Sequence, residues 1–370
     1  MNRKKVYDLL LSVKEISRAE ISRRTNISAP TVLKIIDFFI EKDIVTEIGE
    51  GISKLGRKPL ILRFNPEAAY SIGVEFEGDF YKIGIVDLAG NIKYNERFRA
   101  NNEYNKIIRE ELDIQILNLI QKSNIDMGKI CGVGIGIPGA VDNVNYKIDF
   151  APLVGITSGE DFKPIIEALQ NKIKLPIFIE NDTNAAAIGE FVARKLPNNA
   201  DLIYISIGTG LGSGVILDGK LRRGKRNSAG EIGYMVFDKE YHTYKSKPGW
   251  LESHINLRAL SEKWEIYQSI ESVEKLKEFK NSKDFILLLD RVASYLGMGI
   301  VNIANFLDIQ QVVIGGMITD IFGQPLIDSI NEYISKLKLL DITCELKSCK
   351  EPGIIGAASI STKHNLKNIL

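Results

Sequence analysis

Cysteine is scarce in this sequence: Cys131, Cys344 and Cys349 are the three in 370 residues. They form no disulfide framework and no metal-ligand cluster, and an odd, sparse count suits a reducing cytoplasm, the expected location. No apolar run reaches the roughly 18 residues of a spanning helix, so no membrane partner is expected. The start, Met1-Asn2-Arg3-Lys4-Lys5, is basic but leads into a segment broken by Asp8 and Lys14, a poor secretory signal. Strong net charge is missing too, at +1. What is present, 45% hydrophobic and 26% charged residues, is the composition of a soluble globular protein. At roughly 100–200 residues per domain, the length suggests two or three folding units.

The near-neutral total conceals an asymmetry. Residues 1–60 carry 12 Lys and Arg against 8 Asp and Glu, while the rest of the chain carries 36 against 39. A basic small domain beside a faintly acidic large one points to a local polyanion footprint, although scattered surface charge gives the same count. The pattern of the first sixty residues sharpens that reading. Val6, Leu9, Leu10 and Val13 form one helical stripe over Arg3 to Val13. Ser17-Arg18-Ala19-Glu20 reads as a capping box opening a second helix through Arg24, with Ala19 and Ile21 facing inward. After a tight connection, Ser28 is a good N-cap for a third helix, with Pro30 in its first turn and Val32, Ile35, Ile36, Phe39 and Ile40 on its apolar face. Ile44 to Ile48 reads as a strand, the loop Ser53 to Pro59 is basic, and Leu60 to Phe64 reads as a second strand. This is a winged helix-turn-helix pattern, though two helices and a turn also make a plain three-helix scaffold. On the DNA reading, Ser28, Thr31 and Lys34 enter the major groove, and Lys54, Arg57 and Lys58 on the wing meet phosphates or the minor groove.

The composition changes after Asn65-Pro66-Glu67. Ser71 to Phe76, Tyr81 to Val86 and Ile92 to Phe98 read as three strands joined by turns at Gly78-Asp79 and Asp87 to Asn91, and a helix follows from about Tyr104 to Gln121. Ile130-Cys131-Gly132-Val133-Gly134-Ile135-Gly136 is an apolar strand with glycine at every second position, ending in a turn at Pro138-Gly139. Ligands of open α/β sheets bind at such carboxyl ends. Pro176 to Ile179 delivers Glu180-Asn181-Asp182-Thr183-Asn184 to the mouth of an alanine-rich helix, and Leu202 to Ile207 feeds the turn Gly208-Thr209-Gly210-Leu211-Gly212-Ser213-Gly214. Four glycines in seven residues allow close backbone approach to an anion, but the turn lacks the Walker lysine and a following helix pattern. Alone, Asn181-Asp182 is equally a helix cap. Tyr295 to Phe306, after Leu287-Leu288-Leu289, is an apolar helical segment that serves either core or interface.

The order and spacing of these blocks resemble the ROK family of bacterial sugar kinases and sugar-gene repressors, over nearly the whole chain. The similarity rests on Ile16 to Ile21, Ser28 to Val32, Gly56-Arg57-Lys58-Pro59 and Leu62 to Pro66 in the head. In the large domain it rests on Gly134 to Gly139, Asn181 to Ala186, Gly208 to Gly212, Ala229-Gly230-Glu231-Ile232-Gly233 and Val312 to Gly316. The resemblance implies an α/β chain with a winged helix-turn-helix at residues 1–66 and a two-lobed, actin-like (RNase H-like) sugar-kinase fold at 67–370. It also implies that Gly139, Asn181, Asp182, Glu231 and Glu252 hold sugar hydroxyls in the cleft, and that Gly208, Thr209, Gly210 and Gly212 are a vestigial nucleotide site.

Two departures bear on function. The phosphate turn of the family kinases carries paired glycines and a threonine, where this chain has Glu77-Gly78-Asp79, placing negative charge where phosphates approach. The family's zinc histidine and three-cysteine cluster are also missing: Tyr234 follows Gly233, Tyr241 to Trp250 holds no cysteine, and only His242 and His254 are near. The expectation is therefore a repressor with no catalytic residue, metal or cofactor. It binds palindromic double-stranded operator DNA as a homodimer and responds to a sugar effector such as xylose or glucose. An active kinase fused to a DNA-binding module, and a scaffold that has lost sugar binding, stand as alternatives.

Overall fold

The structure is a computed structural model that describes residues 2–50, 60–101, 103–151, 156, 159–240, 249–257, 259–260, 283–337, 341–367 and 369–370. The head begins with α1 (Asn2–Ser12), β1 (Ile16–Ser17), α2 (Arg18–Thr25) and α3 (Ala29–Glu41). Half of the expected capping box forms: Ser17 Oγ accepts from the Glu20 amide at 3.2 Å, but the Glu20 carboxylate turns to Arg23 and Arg24 instead of back to Ser17. Ile21 is buried while Ala19 is exposed, contrary to expectation. Positions two apart lie about 200° around a helix, so one short helix cannot bury both. Ser28 is the α3 N-cap through its carbonyl, which accepts from the Thr31 and Val32 amides at 3.0 Å; its hydroxyl meets the Thr31 hydroxyl at 2.8 Å rather than an amide. Val32, Ile35, Ile36 and Phe39 are buried as the stripe predicts, with Ile40 half-buried.

β2 (Val45–Glu50) pairs antiparallel with β3 (Leu60–Phe64), and β1 adds to the other edge of β3. The wing tip with Lys54, Arg57 and Lys58 lies outside the described residues. The core of the head draws on both ends of the chain: Leu366 is buried in it beside Val6, Leu10, Ile36 and Leu62, and Ile369 and Leu370 pack against it. Arg3 Nη1 donates to the Ile369 carbonyl at 3.0 Å.

The large domain holds two five-stranded sheets. In the first, β4 (Tyr70–Glu77), β5 (Phe80–Asp87) and β6 (Ile92–Arg99) form the expected antiparallel meander. The helix expected from Tyr104 is continuous but not uniform: α4 (Tyr104–Lys106) passes through a π-helical turn (Ile107–Glu111) into α5 (Leu112–Ser123). β7 (Ile130–Ile137) lies parallel to β4, and β11 (Ile177–Asn181) parallel to β7. Between these two strands in sequence, β8 (Ala140–Asp142), β9 (Lys147–Phe150) and β10 (Glu160–Asp161) make a small sheet, followed by α6 (Lys163–Ile173).

α7 (Asp182–Ala193) leads to the second sheet, ordered β14-β13-β12-β15-β16. Its strands are β12 (Leu202–Ile207), β13 (Leu211–Leu217), β14 (Lys220–Leu221), β15 (Gln311–Gly315) and β16 (Thr343–Leu346). The short α8 (Glu252–Ile255) and the long α9 (Lys283–Leu307) precede β15. α10 (Met317–Phe322) and α11 (Gln324–Ser335) follow it, and α12 (Pro352–Leu366) ends the domain. The stretch Phe285–Leu307 of α9 is long and apolar enough to cross a membrane by length and composition. Its Leu288, Val292, Leu296, Ile300 and Ala304 lie in the second lobe's core, whereas Ile286, Leu287 and Phe306 are exposed. One face of that helix is therefore core.

α7 and α12 pack together between the sheets, and the glycines explain how closely. A Cβ on Gly134 would stand 1.9 Å from the Ala357 carbonyl oxygen, and one on Gly73 2.0 Å from that of Ile354. Where the two helices touch, Gly356 meets the Ala185 carbonyl and Gly189 that of Pro352 at less than 2 Å by the same measure. Gly132 and Gly134 of β7 are thus a bare floor on which α12 lies, a packing that a side chain at either would prevent, whereas Gly136 faces α7 with ordinary contact distances.

Candidate functional site

In the head, Ser28 and Lys34 are exposed and Thr31 is half-buried at the N-terminal end of α3, the face a major-groove reader presents. Arg18 braces this face from behind, donating to Glu47 at 2.8 Å and Asp37 at 3.3 Å.

In the large domain, the strand ends of β7 and β11 and the start of α7 bring Gly139, Asn181 and Asp182 together. Asn181 is the α7 N-cap: its Oδ1 accepts from the Asn184 amide at 2.9 Å, and its Nδ2 donates to the Gly139 carbonyl at 3.0 Å and to Asp182 Oδ1 at 2.9 Å. Both ends of its amide are therefore engaged, and it acts first as the brace of the site. Asp182 Oδ1 also accepts from the Thr183 amide at 2.8 Å. Burial pushes the Asp182 carboxyl up to about 6 despite those bonds.

Glu231 comes from the loop after β14 and Glu252 from the first turn of α8, with the charge of Asp182 felt at Glu231 and that of Glu231 felt at Glu252. Desolvation raises the Glu231 carboxyl, and Asp182 adds to the effect. Desolvation takes Glu252 up to about 7, opposed by a hydrogen bond from the Leu211 amide and reinforced by Glu231. No ion pair joins any of the three to a Lys or Arg among the described residues. Asp182 and Glu252, half-buried, and Glu231, exposed at the rim, have spare acceptor capacity that suits the hydroxyls of a polyol, which donate without bringing charge.

The β12–β13 hairpin carries the glycine turn. Gly212 and Gly214 face α7, where a Cβ would stand 3.0 Å from Thr183 Oγ1 and 2.4 Å from Ala187 Cβ respectively. Those two glycines are architectural. Gly208 and Gly210 meet nothing closer than 3.7 Å and 4.0 Å, so packing does not demand them, and the Gly208 amide closes the turn on the Gly210 carbonyl at 2.9 Å.

On the other side of Asp182, a pocket that Asp182 itself lines is also walled by Glu75, Glu77, Tyr204, Lys347 and Lys350. Glu77 does not stand there as a bare charge. Lys82 Nζ donates to Glu77 at 2.8 Å and to Glu351 at 2.6 Å, with Glu75 at 3.8 Å. Burial lifts Glu75 to about 8 even against the attraction of Lys82, and its Oε2 is buried without a hydrogen-bond partner. Lys82, Glu351, Lys347 and Lys350 carried no sequence signal; only the strand alternation placing Lys82 beside Glu75 hinted at the cluster.

His254 stacks on Trp250 with centroids 4.0 Å apart and donates from Nδ1 to the Trp250 carbonyl at 2.6 Å, a packing role. Trp250 also meets Phe237 and Tyr295 edge-on. Tyr241, His242 and Tyr244 lie outside the described residues, among which no group of three or more His, Cys, Asp or Glu is placed to hold a metal ion.

Family models agree with this architecture. The model for the ROK family matches residues 71–364, and one for winged helix-turn-helix DNA-binding matches residues 2–46. The chain belongs to the ROK family. This ROK protein is 31% identical over 342 residues to the xylose repressor of Bacillus spizizenii, covering 90% of this chain and 86% of that protein. The fold of a ROK family transcriptional regulator, a homolog of the Escherichia coli Mlc protein, superposes with a TM-score of 0.79 at 20% identity, covering 100% of this chain and 96% of that one. A Streptomyces griseus ROK glucokinase, solved with glucose and AMPPNP, gives a TM-score of 0.65 at 22% identity over 80% of this chain and all of its own.

Proposed function

We propose that residues 1–66 read a palindromic operator as part of a homodimer, and that residues 67–370 release it when xylose or glucose enters the cleft. The chain is a sugar-responsive DNA-binding repressor. The observation that carries this reading is the pairing, in one chain, of an exposed α3 face with a run of carboxylates, Asp182 felt at Glu231 and Glu231 at Glu252, that makes no ion pair among the described residues. A two-fold dimer would place two α3 helices in half-sites about 34–36 Å apart. Calorimetry with a panel of pentoses and hexoses, with and without operator DNA, tests it. Xylose or glucose is expected to bind, and the factor by which sugar weakens operator binding should equal the factor by which operator weakens sugar binding. Equal sugar affinity in both states would refute the response.

We further propose that the chain does not transfer phosphate. Phosphoryl transfer depends on neutralising charge over the transferring group, and this end of the cleft spends Lys82 on Glu77 and Glu351. The open Gly208 and Gly210, with Lys347 and Lys350 in the pocket, favour the second reading, a bifunctional kinase-regulator. A coupled ADP-release assay with ATP and Mg²⁺ decides. Sugar-dependent turnover near ~1 s⁻¹, typical of working enzymes, and lost in Asp182→Asn, would establish the kinase.

A further inference from the structure

Glu180 precedes the Asn181-Asp182 pair and is only 1% exposed. A carboxylate so placed must be paired and hydrogen-bonded. Its two oxygens face different parts of the molecule. Oε1 accepts from the Asn181 amide at 3.1 Å and from Asn184 Nδ2 at 3.4 Å, both at the start of α7. Oε2 accepts from Arg223 Nε at 2.9 Å and Nη2 at 2.6 Å, and from Asn143 Nδ2 at 3.4 Å.

Arg223 stands on the other lobe, just past β14. Its carbonyl accepts from the Ala229 amide at 3.0 Å, closing a loop from 223 to 229. Gly230 follows, its carbonyl held by the Ser213 amide at 2.9 Å and hydroxyl at 2.7 Å, and then Glu231. The far side of Arg223 is thus the base of the arm that carries Glu231. A forked guanidinium delivers two donors to one oxygen in a fixed geometry that an ammonium cannot reproduce.

We propose that Arg223 is a positioning residue: by gripping Glu180 it holds the Glu231 arm of the second lobe in register with Asn181 and Asp182 of the first, so that the cleft recognises its sugar with both lobes. This rests on the sugar-binding reading above and adds to it a residue that touches no ligand. Glu231 then contributes to recognition only while Arg223 holds its arm.

The test uses the full chain in four forms: wild type, Arg223→Lys, Glu231→Gln and the double variant, with Arg223→Met as a fifth. Arg223→Lys keeps a cation against Glu180, so the fold should survive even where Arg223→Met loses it. Two readouts are taken. Hydrogen exchange without ligand should be about tenfold faster at the Ile232 to Tyr234 amides in Arg223→Lys, through local opening of the arm. By calorimetry, Arg223→Lys and Glu231→Gln should each weaken sugar binding about tenfold, and the double variant should be no weaker than either single, the non-additivity of one shared contact. A purely structural Arg223 would lower stability and leave the two effects multiplicative, about a hundredfold together; that result overturns the proposal, as does unchanged exchange in the arm. A wild-type chain that binds no sugar of the panel, with exchange still accelerated in Arg223→Lys, refutes the sugar reading and leaves the grip itself standing.

Discussion

The two ends of the cleft treat carboxylates in opposite ways. At one end Asp182, Glu231 and Glu252 have their carboxyls raised, and none makes an ion pair with a Lys or Arg among the described residues. At the other, Glu77 and Glu351 are tied to Lys82, with Glu75 beside them. A buried charge that the protein satisfies itself is structure, whereas one it leaves unsatisfied is an invitation to a ligand. On the sugar reading proposed above, the first end is the one left open to a hydroxylated guest, while at the second Lys82 already answers Glu77 and Glu351.

The largest effect should come from breaking the satisfied end. Lys82→Met leaves three neighbouring carboxylates without their cation, and loss of one partner of a buried pair costs about 3–5 kcal/mol. Urea denaturation should show that loss in midpoint with little change in slope; a loss below about 1 kcal/mol would mean the cluster is solvated and the contrast false. At the unsatisfied end, Asp182→Asn should cost roughly 1.5–3 kcal/mol of sugar binding while leaving folding intact, because it removes a desolvated charge. Wild-type sugar affinity in this variant would take Asp182 out of the site.

Acidity sharpens the same contrast. Asp182, Glu252 and Glu75 sit at about 6, about 7 and about 8 in the folded chain, above the ordinary 3.8 and 4.5. From about pH 4.5 to 8 the folded state holds more protons than the unfolded one, so stability without ligand should fall as pH rises. Sugar binding should run the other way, strengthening as Asp182 ionises through about pH 6. Denaturation and calorimetry at pH 5 and pH 8 read both slopes, and a stability that rises with pH contradicts the assignment. The smallest effect lies in the head: Lys34→Ala should lower operator affinity and, for a phosphate contact, reduce the salt slope by about one unit without touching sugar affinity. Fluorescence anisotropy at two salt concentrations measures it.

Much of this was legible in the sequence. The apolar stripe of α3, the β4–β6 meander and the blocks carrying Asp182, Glu231 and Glu252 all declare themselves through periodicity or motif. What escaped depends on partners distant in sequence. Nothing near Lys82 announces Glu351, 269 positions away. Asn181 reads equally as ligand or cap until the Gly139 carbonyl is seen beneath its amide. Glu77 reads as bare repulsion because a sequence shows the charge and not its counter-ion, Lys82. α12 hides its surroundings for another reason: buried residues run around all its sides, so no stripe says which way it faces.

The first and last turns of the molecule meet in one core, where Leu366, Ile369 and Leu370 close over Val6 and Leu10. A ribosome delivers the operator-reading helices first and these closing side chains last, some three hundred residues later. The head of a chain still being made, or of one cut short before Leu366, has an apolar floor open to water. The reading helices and the last described turns of the sensor thus share one core, and a fragment bearing the helices without Leu366, Ile369 and Leu370 lacks part of it.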